Sequence, residues 1–426
     1  MKRLFFLTFL INFIMSPAAF AAVSDEDIAQ LREQLAAMSE RLDQLAAENA
    51  ELRQEVTTVE TSVAEVQAAG SVASAESWAD RIVLDGDFRY RYESIDPEGS
   101  SDRTRNRIRA RANIKAQVAD NIDVGFGLAT GGDDPVSTNQ TLGGGGSSKG
   151  VVLNLAYVDW EVTDGLHLYA GKFKNPLTKA GGQPLMWDGD WTPEGLALKY
   201  SRDWYFVNAI GNYLESDTRK SNDNFSWGAQ FGAKGQIGDV NLSGGLGFYS
   251  IKTAGEATTY GDAADPGDYF GNTAVEASGL PCGTTPDTDC MYLHDYELVQ
   301  LFAEASFEVG SWPAKVFVDY VNNSDASDND TGWALGTTFG QARDRGQKQF
   351  TYYYADKEAD STLGLLTDSD FGGGGTDSKG HWLMFNYSVS KSWTIGAQYF
   401  INETSVSSGS RSDYNRLMID MQWKWK

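Results

Sequence analysis

After residue 81 the apolar residues of this chain fall at every second position, run after run, almost to its last residue. The stretch TRNRIRARANIKAQVAD, 104–120, is the sharpest case. Arg105, Arg107, Arg109, Arg111 and Lys115 share one parity, and Ile108, Ala110, Ala112, Ile114, Ala116 and Val118 share the other. A period of two belongs to a β-strand, whose successive side chains point to opposite faces. Such runs lie at 82–94, 105–118, 121–131, 150–162, 165–174, 193–202, 204–213, 225–237, 239–252, 295–308, 312–323, 331–341, 348–358, 379–391, 393–405 and 412–425, sixteen in all. Most have the about 9 to 11 residues of a tilted membrane-crossing strand, or a little more. Past the first two dozen residues, no apolar run reaches the about 18 residues that a spanning helix needs.

The connections between runs alternate. Short ones, such as Ala119-Asp120, Thr163-Asp164, Gly238 and Lys391-Ser392, are followed by long polar ones. Alternating hairpin lengths and an even strand number are the signature of an outer-membrane barrel, with short turns on the periplasmic side and long loops outside. The faces agree. In 412–425, Leu417, Ile419, Met421, Trp423 and Trp425 oppose Tyr414, Arg416, Met418, Asp420, Gln422 and Lys424. In 225–237, Phe225, Trp227, Ala229, Phe231 and Ala233 oppose Ser226, Gly228, Gln230, Lys234 and Gln236. A soluble sandwich would also satisfy this pattern, by pairing two apolar faces. Against it stand the loop alternation and the tryptophans near strand ends, Trp204, Trp227, Trp312, Trp333, Trp382, Trp393, Trp423 and Trp425, placed for a membrane girdle. Forty-five glycines and 12% aromatics suit one large unit of strands and turns. The expected fold is all-β, a transmembrane antiparallel barrel of about 16 strands, occupying 82–426 and preceded by an α-helical coiled coil.

The chain opens with Lys2 and Arg3, an apolar stretch from Leu4 to Met15, and Ala19-Phe20-Ala21. These are the three parts of a secretory signal, assigned to 1–21. Over 22–70, Ile28, Leu31, Leu35, Met38, Leu42, Leu45, Leu52, Val56, Val59, Val63 and Val66 recur in steps of three and four, and Asn49 fills the remaining a position. Sustained heptads predict a coiled coil, and a core Asn sets register and oligomer state at some cost in stability. The protein is therefore expected to be a homo-oligomer, with dimer and trimer both open. QAAGSVASAES, 67–77, is small and polar, and the linker is assigned to 71–81.

A net charge of −24 argues against a nucleic-acid partner, which needs a basic footprint. Segments 253–294, 322–330 and 359–378 hold fourteen Asp and Glu and no Lys or Arg, so the acid belongs to loops. The two cysteines, Cys282 and Cys290, share one Gly/Pro/Thr/Asp-rich loop of an exported chain and are expected to form a disulfide staple. No metal, cofactor or catalytic centre emerges. GGGGSSKG (143–150) lacks Walker spacing, DFG at 370–372 lacks its kinase companions, and NNSDASDNDTG (322–332) fails calcium-loop spacing. His167, His294 and His381 lie on different hairpins. No enzyme is expected.

If Ile108, Ala110 and Ile114 meet lipid, the arginines behind them face inward. With Arg89 and Arg91 of the preceding strand they make a basic strip of Arg89, Arg91, Arg105, Arg107, Arg109, Arg111 and Lys115. Sixteen strands enclose water rather than a packed core, and strips of charge set selectivity in pores. Pairing with inward acids such as Asp85, Asp87, Asp159 and Glu161 is the structural alternative.

The segment LYAGKFKNPLTKAGGQPLMWDGDWTPEGLALKY, 168–200, and the layout of signal, coiled coil and barrel resemble the putative porin family of Gram-negative outer membranes. The resemblance implies a sixteen-stranded diffusion pore, often trimeric, with a loop near 175–192 folded into the channel. On that loop or beside it would lie Trp187, Asp188, Asp190, Pro193 and Glu194, where Asp188 and Asp190 facing the arginines would set a transverse field across a narrow eyelet. The expected surroundings are outer-membrane lipid and lipopolysaccharide, with the coiled coil in the periplasm, the acidic loops outside, and small hydrophilic solutes or ions passing through. Two other functions fit the same residues: a selective anion or phosphate channel using the arginines as a track, and a structural tether acting through the coiled coil.

Overall fold

The computed structural model describes Trp78–Lys426 apart from 221–223 and 408, together with nine helical positions between 36 and 57. Those nine positions, among them Glu40, Arg41, Gln44 and Arg53, are all exposed, and Arg41 donates to Gln44 (3.2 Å). The heptad a and d positions, Asn49 included, lie outside the described residues.

Nineteen strands follow in chain order: β1 (Ile82–Pro97), β2 (Arg103–Ala119), β3 (Ile122–Thr130), β4 (Gln140–Thr141), β5 (Val151–Thr163), β6 (Leu166–Lys172), β7 (Glu194–Ser201), β8 (Tyr205–Glu215), β9 (Asn224–Ile237), β10 (Val240–Ile251), β11 (Ala274–Glu276), β12 (Cys290–Tyr292), β13 (Tyr296–Val309), β14 (Trp312–Asn323), β15 (Thr331–Gly340), β16 (Lys348–Lys357), β17 (Ser378–Ser390), β18 (Trp393–Thr404) and β19 (Ser412–Trp425). Three of them, β4, β11 and β12, are short pieces inside loops. The other sixteen pair antiparallel with their neighbours, and β1 pairs with both β2 and β19 (Leu84 against Ile114, Tyr90 against Met421). The sheet is a closed sixteen-stranded barrel with no free edge, which removes the unpaired backbone groups that lipid would not tolerate.

Closure follows from the two-faced strands. Leu84, Ile114, Phe126, Trp227, Phe231, Leu335 and Ile419 are exposed on the outside, while their neighbours Asp87, Arg109, Gln230, Ala334 and Met418 are buried within. In a membrane this outer surface is solvated by lipid tails. Trp204, Trp312, Trp393 and Trp423 mark its short-turn end, where Trp393 stacks on Trp423 with ring centroids 5.6 Å apart, and Trp227 and Trp333 mark the other. Trp382 departs from the expected girdle. Its position is inward, it is buried, and it stacks on Phe400 at 4.8 Å while donating to Gln398.

Turns 120–121, 164–165, 238–239, 310–311 and 391–392 occupy one end, and the long loops the other. The alternation is looser than expected: loop 98–102 on the long side is short, and 341–347 is the longest connection on the turn side. Strand β6 stops at Lys172, opposite Ala156 of β5, and β7 resumes at Glu194. The chain between them leaves the wall partway along its neighbours and turns into the barrel. There Phe173, Leu177, Leu185, Met186, Trp187 and Trp191 pack with Leu363, Leu365, Leu366 and Phe371 of loop 358–377, and with Tyr269 and Tyr292 of loop 252–295. This interior core anchors the loops.

Candidate functional site

The inward side of β1 and β2 carries Arg89, Arg91, Arg105, Arg107, Arg109 and Arg111, and β19 adds Arg416. Seven guanidinium groups in one patch would repel each other and pay for lost hydration, so they demand counter-charge. Five carboxylates supply it. Asp420 takes two bonds from Arg91 (2.7 and 2.8 Å), the fork geometry of a strong pair. Glu93, fully buried, is shared by Arg105, Arg107 (3.3 Å) and Arg416 (3.1 Å). Asp87 holds Arg109 (2.7 Å) and Arg111 (2.6 Å). The remaining two come from the inward loops: Asp190 meets Arg109 (3.3 Å) and Arg111 (3.0 Å), and Asp370 meets Arg91 (3.0 Å) and Arg416 (2.6 Å). Arg89 donates to Asn139 (2.6 Å) and has no ion pair among the described residues. Lys115, lower on β2, pairs with Asp123 (2.7 Å) and lies 3.8 Å from Asp159.

The basic strip is thus an ion-pair lattice, not an open ladder. Of the acids expected as partners, Asp87 enters it; Asp85 accepts from Asn113 (2.9 Å) and Asp159 contacts His167 (2.8 Å). Glu93, Asp370, Asp420 and Arg416 were not anticipated as members. Arg416 and Asp420 stood on the polar parity of the last strand, which was the available signal. Asp370 carried none, because its place depends on where a loop folds.

Loop 173–193 spans the interior. At one end Thr178 donates its backbone N–H to Gln230 of β9 (2.7 Å) and its carbonyl accepts from Gln230 Nε2 (2.9 Å). The Gly181 N–H reaches Glu304 of β13 (3.0 Å), and Trp187 packs edge-on against Tyr249 of β10. At the other end Asp190 lies on the arginines of β2. The loop is therefore held by walls on two sides, and Asp188 joins it to the second inward loop: its N–H donates to the Leu366 carbonyl (2.8 Å) and its carboxylate accepts from Ser369 N–H (3.1 Å).

Asp188 and Asp190 do not face the arginines across a gap. A carboxylate carried inside finds a partner or loses its charge, and the two residues take these different courses. Burial alone would raise Asp190, but Arg109 and Arg111 hold its carboxyl below the usual carboxylate range. Asp188 points away from them, and burial, with Asp368 and Asp190 nearby, pushes its carboxyl well above that range. Asp370 follows the first course, held low by Arg416 and Arg91 against burial, and Asp368 the second. Trp187 is buried and stacks on Trp191 at 5.0 Å. Glu194 lies off the interior altogether: as first residue of β7 it shares the parity of exposed Leu196 and pairs with Lys172 (2.7 Å) on the outer face. The strand resumes before the residue can turn in.

Two cavities open toward the short-turn side. One, about 360 Å³, lies between loop 173–193 and the wall and is lined by Asp85, Asp87, Arg111, Lys174, Lys179, Asp190 and Lys424 among others. The second, about 1170 Å³, lies beside the tip of the same loop at Gly181 and Gln183, against β13, β14 and β15. Lys174 and Lys179 were part of the quoted loop segment yet were not singled out as site residues. In loop 252–295, Cys282 and Cys290 are disulfide-bonded, with Cα atoms 5.6 Å apart.

A protein family described as "Putative porin" matches residues 96–263 and 288–425. No curated protein matches the chain. Among solved structures, OprB of Pseudomonas putida at high pH superimposes with a TM-score of 0.55 at 11% identity, covering 82% of this chain and 95% of that one. OmpT of Vibrio cholerae in trimer form gives 0.47 at 14% identity, covering 81% and 100%. A mutant of the Rh. blastica porin gives 0.45 at 10% identity, again covering 81% and 100%. Matched over most of its length by that family and built as a closed sixteen-stranded antiparallel barrel, the chain belongs to the putative porin family.

Proposed function

We propose that the chain forms a water-filled channel in the Gram-negative outer membrane, through which small hydrophilic solutes and ions diffuse without energy input. The carrying observation is the interior loop 173–193, pinned to Gln230 on one wall and to Arg109 and Arg111 on another, with polar cavities beside it. A loop fixed at both ends narrows a wide barrel to a defined passage, and a passage lined by charges and amides sorts solutes by size and polarity. The family and the sixteen-stranded wall support an outer-membrane channel.

In this reading the acidic loops face the outside, the short turns the periplasm, and the heptads of 22–70 associate copies into a dimer or trimer. Lipid and lipopolysaccharide surround the outer wall. The ion-paired arginines act chiefly by fixing the inward loops, so their charge is largely spent before a solute arrives.

The test is reconstitution of pure full-length protein. Stepwise conductance in planar bilayers is expected, together with liposome swelling in neutral sugars that declines as the sugar grows. Silence in both assays would sink the channel reading.

A further inference from the structure

The interior arginines are neutralised by five carboxylates, but the smaller cavity beside loop 173–193 is not balanced in the same way. It is lined by three ammonium groups, on Lys174 and Lys179 of the loop and Lys424 of β19, none with an ion pair or side-chain hydrogen bond among the described residues. Of its acids, Asp87 and Asp190 are both engaged by Arg109 and Arg111. Asp85, held only by Asn113, remains as the one carboxylate without a cationic partner. Three free cations against one free anion leave the cavity positive.

Resting on the channel reading above, we propose that this cavity is a weak binding station for small organic carboxylates, and that Lys174, Lys179 and Lys424, not the arginine strip, give the channel a preference for anions.

Three features select the class. A volume of about 360 Å³ admits a small molecule and little more. The lining couples the lysines to amides, on Asn113, Asn154 and Asn175, and to apolar surface on Leu155 and Trp191. Ammonium and amide N–H groups bond carboxylate oxygens, while the apolar side accepts a short hydrocarbon body, as mixed pockets do. Inorganic phosphate is less well served, since its preferred fork-shaped donor, the guanidinium of Arg111, is already occupied by two aspartates. Lysine is also a compact, hydrated point charge on a flexible stem, suited to brief contact. A permeation site must release what it binds. Burial holds the Lys179 ammonium below the ordinary lysine range against the pull of Asp188, Asp368 and Asp190, none of which forms an ion pair with it, so an incoming anion supplies the direct contact this group lacks.

The experiment uses full-length protein in planar bilayers, with reversal potential read in a KCl gradient and the chloride current titrated with butyrate, inorganic phosphate and choline. The variants are Lys174→Ala/Lys179→Ala/Lys424→Ala and, as control, Lys391→Ala on an exposed turn between β17 and β18. Expected for the parent are an anion-side reversal potential and saturable reduction of chloride current by butyrate, with phosphate weaker and choline without effect. In the triple variant the reversal potential moves toward the cation side and half-block by butyrate needs about tenfold more ligand, while conductance steps persist and the control matches the parent. An unchanged reversal potential and block in the triple variant overturns the proposal, as does equal block by phosphate at equal charge. Equilibrium dialysis of radiolabelled butyrate against detergent-solubilised protein separates the two readings. Binding lost in the triple variant upholds the site even if no current is seen, and binding absent from the parent refutes it whatever the current shows.

Discussion

Asp188 and Asp190 are two residues apart and chemically identical, yet the interior treats them oppositely, and that difference is measurable. Asp190 and Asp370 are held low by guanidinium partners against burial. Asp188 is raised by burial and then by the charges of Asp368 and Asp190, and Asp368 by burial and then by Asp370, with Lys179 and Lys357 the cations nearby. A carboxyl raised in the folded protein takes its proton there first, so its contribution is present at low pH and lost as pH rises through the raised value. A lowered one contributes above the ordinary carboxylate range and loses that as pH falls below it. The resistance of the folded protein to heat, read from its shift to the unfolded band on gels, should therefore climb as pH drops from alkaline to mildly acidic, then fall in strong acid. Asp188→Asn should flatten the climb and leave the acid-side fall intact; an unaltered profile would refute the assignment. Asp190→Ala tests the other partner. Arg109 and Arg111 keep Asp87 but each loses its ion pair to the loop, a cost of about 1–3 kcal/mol for these two charge-assisted contacts together. The readout is a lower heat midpoint together with noisier, larger conductance steps.

At the scale of elements, the wall was legible and its filling was not. All sixteen long strands could be located because a two-sided environment writes itself into every second residue: Trp312–Asn323 and Ser412–Trp425 run where alternation places them, and the others differ by three residues or fewer at either end. The inward turn of loop 173–193 was suggested by family resemblance alone. It depends on Gln230 and Glu304, far away in sequence, and no local periodicity reports such partners. The same cause hid Trp382, whose neighbour Phe400 arrives from the next strand and makes a core where only a rim was expected. β4 (Gln140–Thr141), β11 and β12 are too short for any periodic signal. The loop's tip offers a direct test. Gly181 has φ +62°, and a Cβ there would meet the Phe317 ring at 2.2 Å, so only glycine brings the backbone this close to β14. Gly181→Val should dislodge the tip and enlarge single-channel conductance, with barrel assembly on gels unchanged. Adding Phe317→Ala should recover part of the parent conductance. No change from Gly181→Val would mean that the tip does not bound the passage.

The molecule as a whole separates two jobs that sequence pattern assigns to different segments. The barrel closes on itself through β1 and β19, leaving no strand edge to recruit another chain, so association must use side-chain surfaces or a separate device. We propose that the heptads of 22–70 are that device, with Asn49, at an a position of the sequence pattern, pinning their register. Two consequences can be set against each other. Deleting residues 24–70 should lower the oligomer size seen by light scattering in detergent, while the conductance of each single step stays at its parent value, because every strand and both inward loops remain. Asn49→Leu in the full chain should act otherwise: a buried Leu strengthens the helix contact but removes the constraint on strand number, so thermal dissociation is delayed and the size distribution broadens. If the deletion leaves the oligomer intact, association resides in the barrel wall and the heptads serve another purpose. If instead it extinguishes conductance, the passage depends on the assembly and is not a property of one barrel.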